Sequence, residues 1–264
     1  QLANDAAQRY EDILVPAILG PFAKSLVDYA DLADATHVVD IGCGTGAATR
    51  YAAQKMKPSS TIIGIDVNTS MLAVAQSLPE VEGASIIWQQ DNAYELSLDD
   101  ASTDVVLCAQ TLQFMTEKTK ALNEMHRILK SGQALYFSLW CEIEHSPYFD
   151  ALVNAVAKHI NPDTAAGLGS AFNLSKLDDI MQIMDKSNFS EVKTDTVELQ
   201  LPLPSMPEFV PRHISATPMG KGFQVSSKET QQAIIDELTE GLADYQTEAG
   251  TTIPFASHLI TARK

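Results

Sequence analysis

The residues best placed to do chemistry lie close together: Asp40-Ile41-Gly42-Cys43-Gly44-Thr45-Gly46, and then Asp66. Glycines at alternating positions let a backbone turn tightly and approach a ligand where any side chain would collide. An apolar run, Val38-Val39, leads into the loop, and a helical pattern begins at Ala47. The start of that helix offers unpaired N–H groups and a positive dipole end. Strand, glycine turn and helix in this order make a site for a nucleotide-like ligand at the carboxyl ends of parallel strands. A further carboxylate, Asp91, follows the third apolar run at the same predicted edge, before Asn92 and Ala93.

Two ligand classes compete for this loop. Gly42, Gly44 and Ala47 satisfy G-x-G-x-x-A, and Asp66 stands 20 residues beyond Gly46, where a ribose-binding acid belongs in a dinucleotide site. Against NAD stands Asp40, two positions before the first glycine, which suits a cationic amino acid better than a pyrophosphate. Gly46 continues the alternation, and Asp91 adds another acid. A proton acceptor working near neutral pH is most naturally a histidine. His145 follows the fifth predicted strand, sharing its loop with Glu142 and Glu144, and His213 lies in the C-terminal half; these are the candidate catalytic bases. No Cys/His cluster has metal-ligand spacing, so no metal is expected.

The full string Asp40–Gly46 resembles motif I of the class I S-adenosylmethionine-dependent methyltransferases. Met71-Leu72 after Asp66, Asp91 after strand three, and Arg127-Ile128-Leu129-Lys130-Ser131-Gly132 before strand five also match. More narrowly, the chain is similar to the small-molecule branch typified by ubiquinone and menaquinone biosynthesis. The likeness runs from about Tyr10 to Trp140 and returns weakly at Thr251 to Lys264; Ser131-Gly132-Gln133 replaces the usual Pro-Gly-Gly. The resemblance implies S-adenosylmethionine as cofactor and S-adenosylhomocysteine as product. It implies that Asp40 and the loop Gly42, Gly44 and Gly46 face the methionine part, and that Asp66 accepts both ribose hydroxyls. Val67 and Met71 would pack on the adenine, and Asp91 would bond its amino group with Asn92 and Ala93 alongside. Ala109 and Gln110 would flank the methionine carboxylate or sulfonium, and Tyr10 would close the site as a lid.

The elements that must position these residues follow from periodicity. Strands are expected over 37–41, 61–66, 85–89, 104–109 and 134–140, with helices over 47–57, from Asn68 or Thr69, and over 117–129, the last ended by Gly132. After Trp140 the rhythm changes. An amphipathic helix covers 149–160, and capping boxes at Ser175/Asp178, Ser205/Glu208 and Ser226/Glu229 start three more. An exposed strand spans 191–201, and a last strand 251–264. This predicts an α/β, Rossmann-like fold: seven mostly parallel strands, an antiparallel edge from the last two, helices on both faces, and a helical cap. Residues 1–145 would carry a lid helix and the cofactor half, 146–250 the cap and sixth strand, and 251–264 the last strand. Phe149, Phe172, Phe209 and Phe223, with Met181, Met184, Met206 and Met219, would line an acceptor pocket or form the cap's own core.

Composition narrows the partner. A formal net charge of −16, with 34 acidic against 18 basic residues, repels polyanions, and Arg127 with Lys130 is the nearest approach to a basic cluster. Nucleic acid is therefore disfavoured, as it is by Cys108-Ala109-Gln110-Thr111, where base-methylating relatives carry Asn/Asp-Pro-Pro-aromatic. No stretch is apolar for the roughly 18 residues of a membrane span, and no secretory pattern opens the chain at Gln1. Cys43, Cys108 and Cys141 are widely spaced and odd in number, which predicts free thiols in a reducing, cytoplasmic compartment. The expected activity is methyl transfer to O, N or C of a small organic acceptor, mainly by positioning, with general-base help. The alternatives are a non-catalytic S-adenosylmethionine-binding module, a nucleic-acid methyltransferase and an NAD oxidoreductase.

Overall fold

Short β-branched runs build the centre of the molecule, because strands flanked by helices on both sides must be apolar on both faces. The computed structural model describes residues 4–217, 220–247 and 250–264, so Met219 lies outside the described residues. Five parallel strands, β1 (His37–Ile41), β2 (Thr61–Asp66), β3 (Ser85–Gln90), β4 (Thr103–Ala109) and β5 (Leu129–Trp140), are joined by β6 (Ser190–Leu203), β7 (Gln246–Thr247) and β8 (Gly250–Arg263). The order is β3-β2-β1-β4-β5-β8-β6, with the two-residue β7 beside β8; β8 runs antiparallel to both β5 and β6. The expected seven strands and antiparallel edge are present. The chain reverses its direction of travel across the sheet between β1 and β4, which pair at Val39↔Val106 and Asp40↔Leu107. That switch point is where α/β sheets bind ligands.

Helices α1 (Asn4–Arg9), α2 (Gly20–Tyr29), α3 (Ala47–Lys55), α4 (Thr69–Ser77) and α5 (Lys118–Ile128) accompany the parallel strands. Between α1 and α2 the chain winds as a π-helix, Tyr10–Leu19, a wide winding that is rare at this length. One sheet face packs Val38, Ile62 and Leu107 against Leu26, Val27, Ala48 and Ala52 of α2 and α3. The other packs Val39, Val106 and Leu135 against Leu122, Met125 and Ile128 of α5. Asn68 caps α4, its side chain accepting from Ser70 N at 3.0 Å. Gly132 does not end α5; the helix stops at Ile128, and Gly132 (φ +76) lies in an early, irregular part of β5, its N–H bonded to Lys264 O.

The C-terminal half departs further from expectation. It holds α6 (Pro147–His159), α7 (Pro162–Gly169), α8 (Leu177–Met184), α9 (Met206–Ser215), α10 (Gly220–Gln224) and α11 (Lys228–Gly241). Neither Ser175 nor Ser205 forms a side-chain cap, and the cap of α11 is Ser227, one residue later than expected, accepting from Thr230 N. The α8 residues Ile180 and Met184 pack on the sheet face beside α5, so this helix is no part of a cap. The other helices share one core with the N-terminal segment: Ile18 and Phe22 join Tyr148, Phe209, Phe223, Ile234 and Phe255. The cap and the leading helices are therefore one packed body.

Candidate functional site

At the end of β1 the chain turns through the glycine loop under β2's carboxyl end. Gly42 N and Cys43 N both donate to Ile65 O, at 2.7 and 2.9 Å, which pins the loop to the neighbouring strand. Asp40 is fully buried, and its Oδ2 accepts from Thr49 Oγ1 at 2.6 Å. Its Oδ1 has no partner. Burial pushes this carboxyl up to about 6, against the pull of the Thr49 hydrogen bonds and with the nearby Asp66 adding to the rise. A buried acceptor without a donor costs roughly 1–3 kcal/mol, so this oxygen is a stored demand for a hydrogen-bonding cation or donor.

The three glycines differ in what requires them. All have positive φ: +70, +56 and +90 at Gly42, Gly44 and Gly46. A Cβ on Gly42 would meet Thr111 Cγ2 at 2.1 Å, and one on Gly46 would meet the Trp88 ring at 2.2 Å. Those two glycines make room for the protein's own side chains. At Gly44 the nearest atom to a Cβ is Tyr10 Oη at 3.9 Å. Gly44 alone of the three would admit a Cβ without overlap, at ordinary van der Waals distance from Tyr10.

Asp66, at the end of β2, ties the loop to the next strand. Its Oδ2 accepts from Gly44 N at 2.8 Å and its Oδ1 from Asn68 N at 2.8 Å, which leaves lone pairs on both oxygens for further donors. Burial raises its carboxyl above the ordinary range, opposed by those backbone bonds. Val67 is exposed beside it, whereas Met71 is buried against Ala7 and Val74, with Tyr10 packed on the same cluster. Asp91 is brought to the same edge by its N–H on Asp66 O, at 3.3 Å. Its carboxylate accepts from Gln89 Nε2, Asn92 N and Ser97 N, so it organises its own loop. Asn92 is exposed and accepts from Tyr94 N, and Ala93 packs towards the sheet core.

Tyr10, Ala109 and Gln110 converge, lining a cavity of about 60 Å³ with Gly42, Cys43 and Thr45. Burial and the nearby Asp66 push the Tyr10 phenol well above its ordinary value, so it stays protonated. Gln110 is a non-glycine residue at φ +50, a strained conformation that clusters at functional sites. Sequence reasoning missed Thr49, Trp88, Thr111 and Gln113, because each acts through contacts that no local spacing encodes. A larger cavity, about 220 Å³, lies at the opposite ends of β1 and β2, lined by His37, Thr61, Ile63 and Asp99. None of its lining residues carries a buried polar atom without a partner, and it sits away from the switch point.

Neither candidate base reaches this cavity. His145 is exposed in a short 3₁₀ turn, with Nδ1 3.3 Å from Glu142 O of the same turn. His213 is buried in the cap core, hydrogen-bonded through Nδ1 to Tyr148 Oη at 2.6 Å and packed edge-on by Phe149. Burial lowers its pKa to about 3, which makes it a feeble base at neutral pH. Phe209, Phe223 and Met206 are equally committed to that core, while Phe149 and Phe172 are half-buried at its margin. Among the described residues, no group of three or more His, Cys, Asp or Glu could hold a metal ion.

Residues 39–137, from β1 through most of β5, match the family described as a methyltransferase domain. That stretch of the chain resembles a methyltransferase domain. A demethylmenaquinone methyltransferase of Lactiplantibacillus plantarum is 34% identical over 114 residues, covering 42% of this chain and 48% of that protein. An O-methyltransferase of Aspergillus sclerotiorum is 32% identical over 118 residues, covering 44% of each. The chain thus spans about half the length of the curated relatives it matches. A Haemonchus contortus phosphoethanolamine N-methyltransferase, solved with S-adenosylhomocysteine, superposes with a TM-score of 0.59 at 18% identity, covering all of this chain and 58% of that one. The fold is the Rossmann-like fold that this solved methyltransferase shares.

Proposed function

We propose that this chain binds S-adenosylmethionine at the carboxyl edge of β1, β2 and β4. It would move the methyl group to O, N or C of a small organic acceptor and release S-adenosylhomocysteine. The observation that carries the reading is the orphaned Asp40 Oδ1, in the same loop as Gly44, where a Cβ would meet only Tyr10 at 3.9 Å. The donor set fits the group: Asp40 Oδ1 can receive an ammonium, and the Asp66 oxygens can receive vicinal hydroxyls. Val67, Asp91, Asn92 and Ala93 would border the adenine, with Gly42, Gly46, Ala109 and Gln110 framing the methionine end. Met71 would act through Tyr10, supporting the side chain that covers the loop.

Bound there, the cofactor supplies an electrophilic methyl carbon on a sulfonium. The chain's residues would hold the two reactants in line and exclude water, which supplies much of the acceleration for such a displacement. With His145 on the surface and His213 sealed in the core, positioning carries more of the task than proton transfer. The names of the aligned relatives support a small organic acceptor, and the −16 charge argues against nucleic acid. No helix among the described residues is long and apolar enough to cross a membrane, and the three cysteines are free thiols, in keeping with a reducing compartment such as the cytoplasm.

Calorimetric titration tests the cofactor, and transfer of tritiated methyl to a panel of small phenols and amines tests turnover. Heat with S-adenosylhomocysteine and none with NAD is expected. The reverse would return the loop to the dinucleotide class, and cofactor binding without transfer would leave a binding module.

A further inference from the structure

The π winding of Tyr10–Leu19 interrupts what is otherwise one helical run from Asn4 to Tyr29. Its last turn closes with Gly20 N–H on Val15 O, five residues back. Two residues write this winding into the sequence. Pro16 lies inside it. At that depth in an α-helix the ring has no N–H to donate and collides with the carbonyl four residues back, which is that of Asp12. Gly20 meets the opposite constraint: a Cβ there would stand 2.7 Å from Val15 O. Pro16 therefore disfavours the α winding, and a glycine at position 20 is what tolerates the π winding.

The winding decides which side chains reach the cavity at the glycine loop. Tyr10, Val15 and Leu19 all line it, together with Gly42, Cys43 and Thr45. At roughly 100° per residue, an α-helix would set Val15 about 140° and Leu19 about 180° around the axis from Tyr10, on the far side. A π-helix reaches back five residues for each bond, so positions five and nine apart return to one side. The same winding gathers Ile13, Leu14 and Ile18 in the core shared with the cap. The start of the segment is tethered by Arg9 Nε on Ser215 O at 3.1 Å, and Tyr10 rests on Met71 and Val74. Helical π turns concentrate at functional sites, and this one turns three side chains onto the proposed cofactor edge. We infer that Pro16 and Gly20 are positioning residues for the cofactor: together they hold the π winding that builds the Tyr10, Val15 and Leu19 wall of its cavity. This rests on the methyltransferase reading. Neither residue lines the cavity; both act through the three that do.

Thermal melts and calorimetry with S-adenosylhomocysteine test this on the full chain and two variants. Gly20→Ala forces a Cβ against Val15 O while Pro16 still bars the α winding, so its melting temperature should fall by at least about 3 °C. Adding Pro16→Ala frees the segment to wind as an α-helix. The double variant should therefore regain the lost melting temperature, yet bind S-adenosylhomocysteine at least tenfold more weakly than the wild type, because its cavity wall has turned away. A merely structural role would restore affinity along with stability. A double variant that binds S-adenosylhomocysteine within threefold of the wild type overturns the assignment. So does one that melts no higher than Gly20→Ala, since the pair would then not set the winding. A wild type that binds no S-adenosylhomocysteine removes the methyltransferase reading and this role with it, whatever the melts show.

Discussion

The glycine-loop edge and the core of the cap differ in how they treat buried polar groups, although Ser146 Oγ, at the start of α6, is also buried without a partner. At the edge, Asp40 Oδ1, Thr45 Oγ1 and Gln113 Oε1 are buried without partners, and Gln110 holds a strained backbone. In the cap, His213 and Tyr148 bond to each other at 2.6 Å and stack at 5.3 Å between centroids, with Phe149, Phe209 and Phe255 around Tyr148. The first arrangement sacrifices stability to keep acceptors ready; the second spends its polar atoms on itself. Demand for a ligand is read from unmet bonds, and shape from met ones. Mutations in the two regions should therefore separate binding from stability.

The largest separation is expected in the cap. His213→Ala removes a buried ring and orphans the Tyr148 hydroxyl, so unfolding free energy should fall by about 3–5 kcal/mol, combining a core truncation with an unpaired donor. Urea unfolding measures it. S-adenosylhomocysteine affinity in the folded fraction should not change; a stable variant with lost transfer activity would instead return His213 to catalysis.

Within the edge, the glycines provide an internal control. Gly46→Ala drives a Cβ to 2.2 Å from the Trp88 ring at φ +90, and overpacking plus backbone strain should cost about 2–4 kcal/mol of stability. Gly44→Ala sets its Cβ at ordinary van der Waals distance from Tyr10, so it should cost only about 1 kcal/mol for its φ, yet weaken S-adenosylhomocysteine at least tenfold. Thermal melts and calorimetry on both variants decide it. Equal loss of stability at the two positions would abolish the distinction between packing and cradle.

That distinction also marks how far the sequence could be read. The βαβ elements were legible because strand, loop and helix signals are local: β1, β2 and the Asn68 cap came out at the expected residues. Asp40 and Asp66 were singled out by spacing alone, and the structure ties both to the same loop region, through Thr49 and Gly44. Trp88 against Gly46 was not, since it lies 42 positions away on β3 and reads as an ordinary strand residue. Capping signals misled at Ser175 and Ser205, where the backbone started each helix without a side-chain bond, and at Ser226, where an adjacent serine took the role. The cap's histidine was misplaced for a related reason: an aromatic-rich amphipathic helix looks the same whether its inner face meets a pocket or a closed core.

Asp66 should show the edge's role at smaller scale. Asp66→Ala removes charged acceptors from the cradle and should weaken S-adenosylhomocysteine by about 1.5–3 kcal/mol, measured by calorimetry. It also frees Gly44 N and Asn68 N, so a modest loss of stability accompanies it. Unchanged affinity would remove Asp66 from the site.

The smallest effect is a pH slope whose sign differs between the regions. Asp40 is raised from 3.8 to about 6, so between those values the folded chain binds more protons than the unfolded one, and its contribution falls as pH rises. His213 is lowered from 6.5 to about 3, so between those values the unfolded chain binds more protons, and its contribution is lost as pH falls. Across pH 4–6 the two oppose each other, each changing stability by about 1.4 kcal/mol per pH unit. Asp40→Asn should therefore leave a stability that climbs with pH over this window, and His213→Gln one that climbs less or declines. Groups common to both variants cancel when their urea unfolding free energies are compared at each pH. Parallel profiles would mean that one of the two sites is wetter than its burial implies, and the contrast between a waiting edge and a closed cap would lose that half of its support.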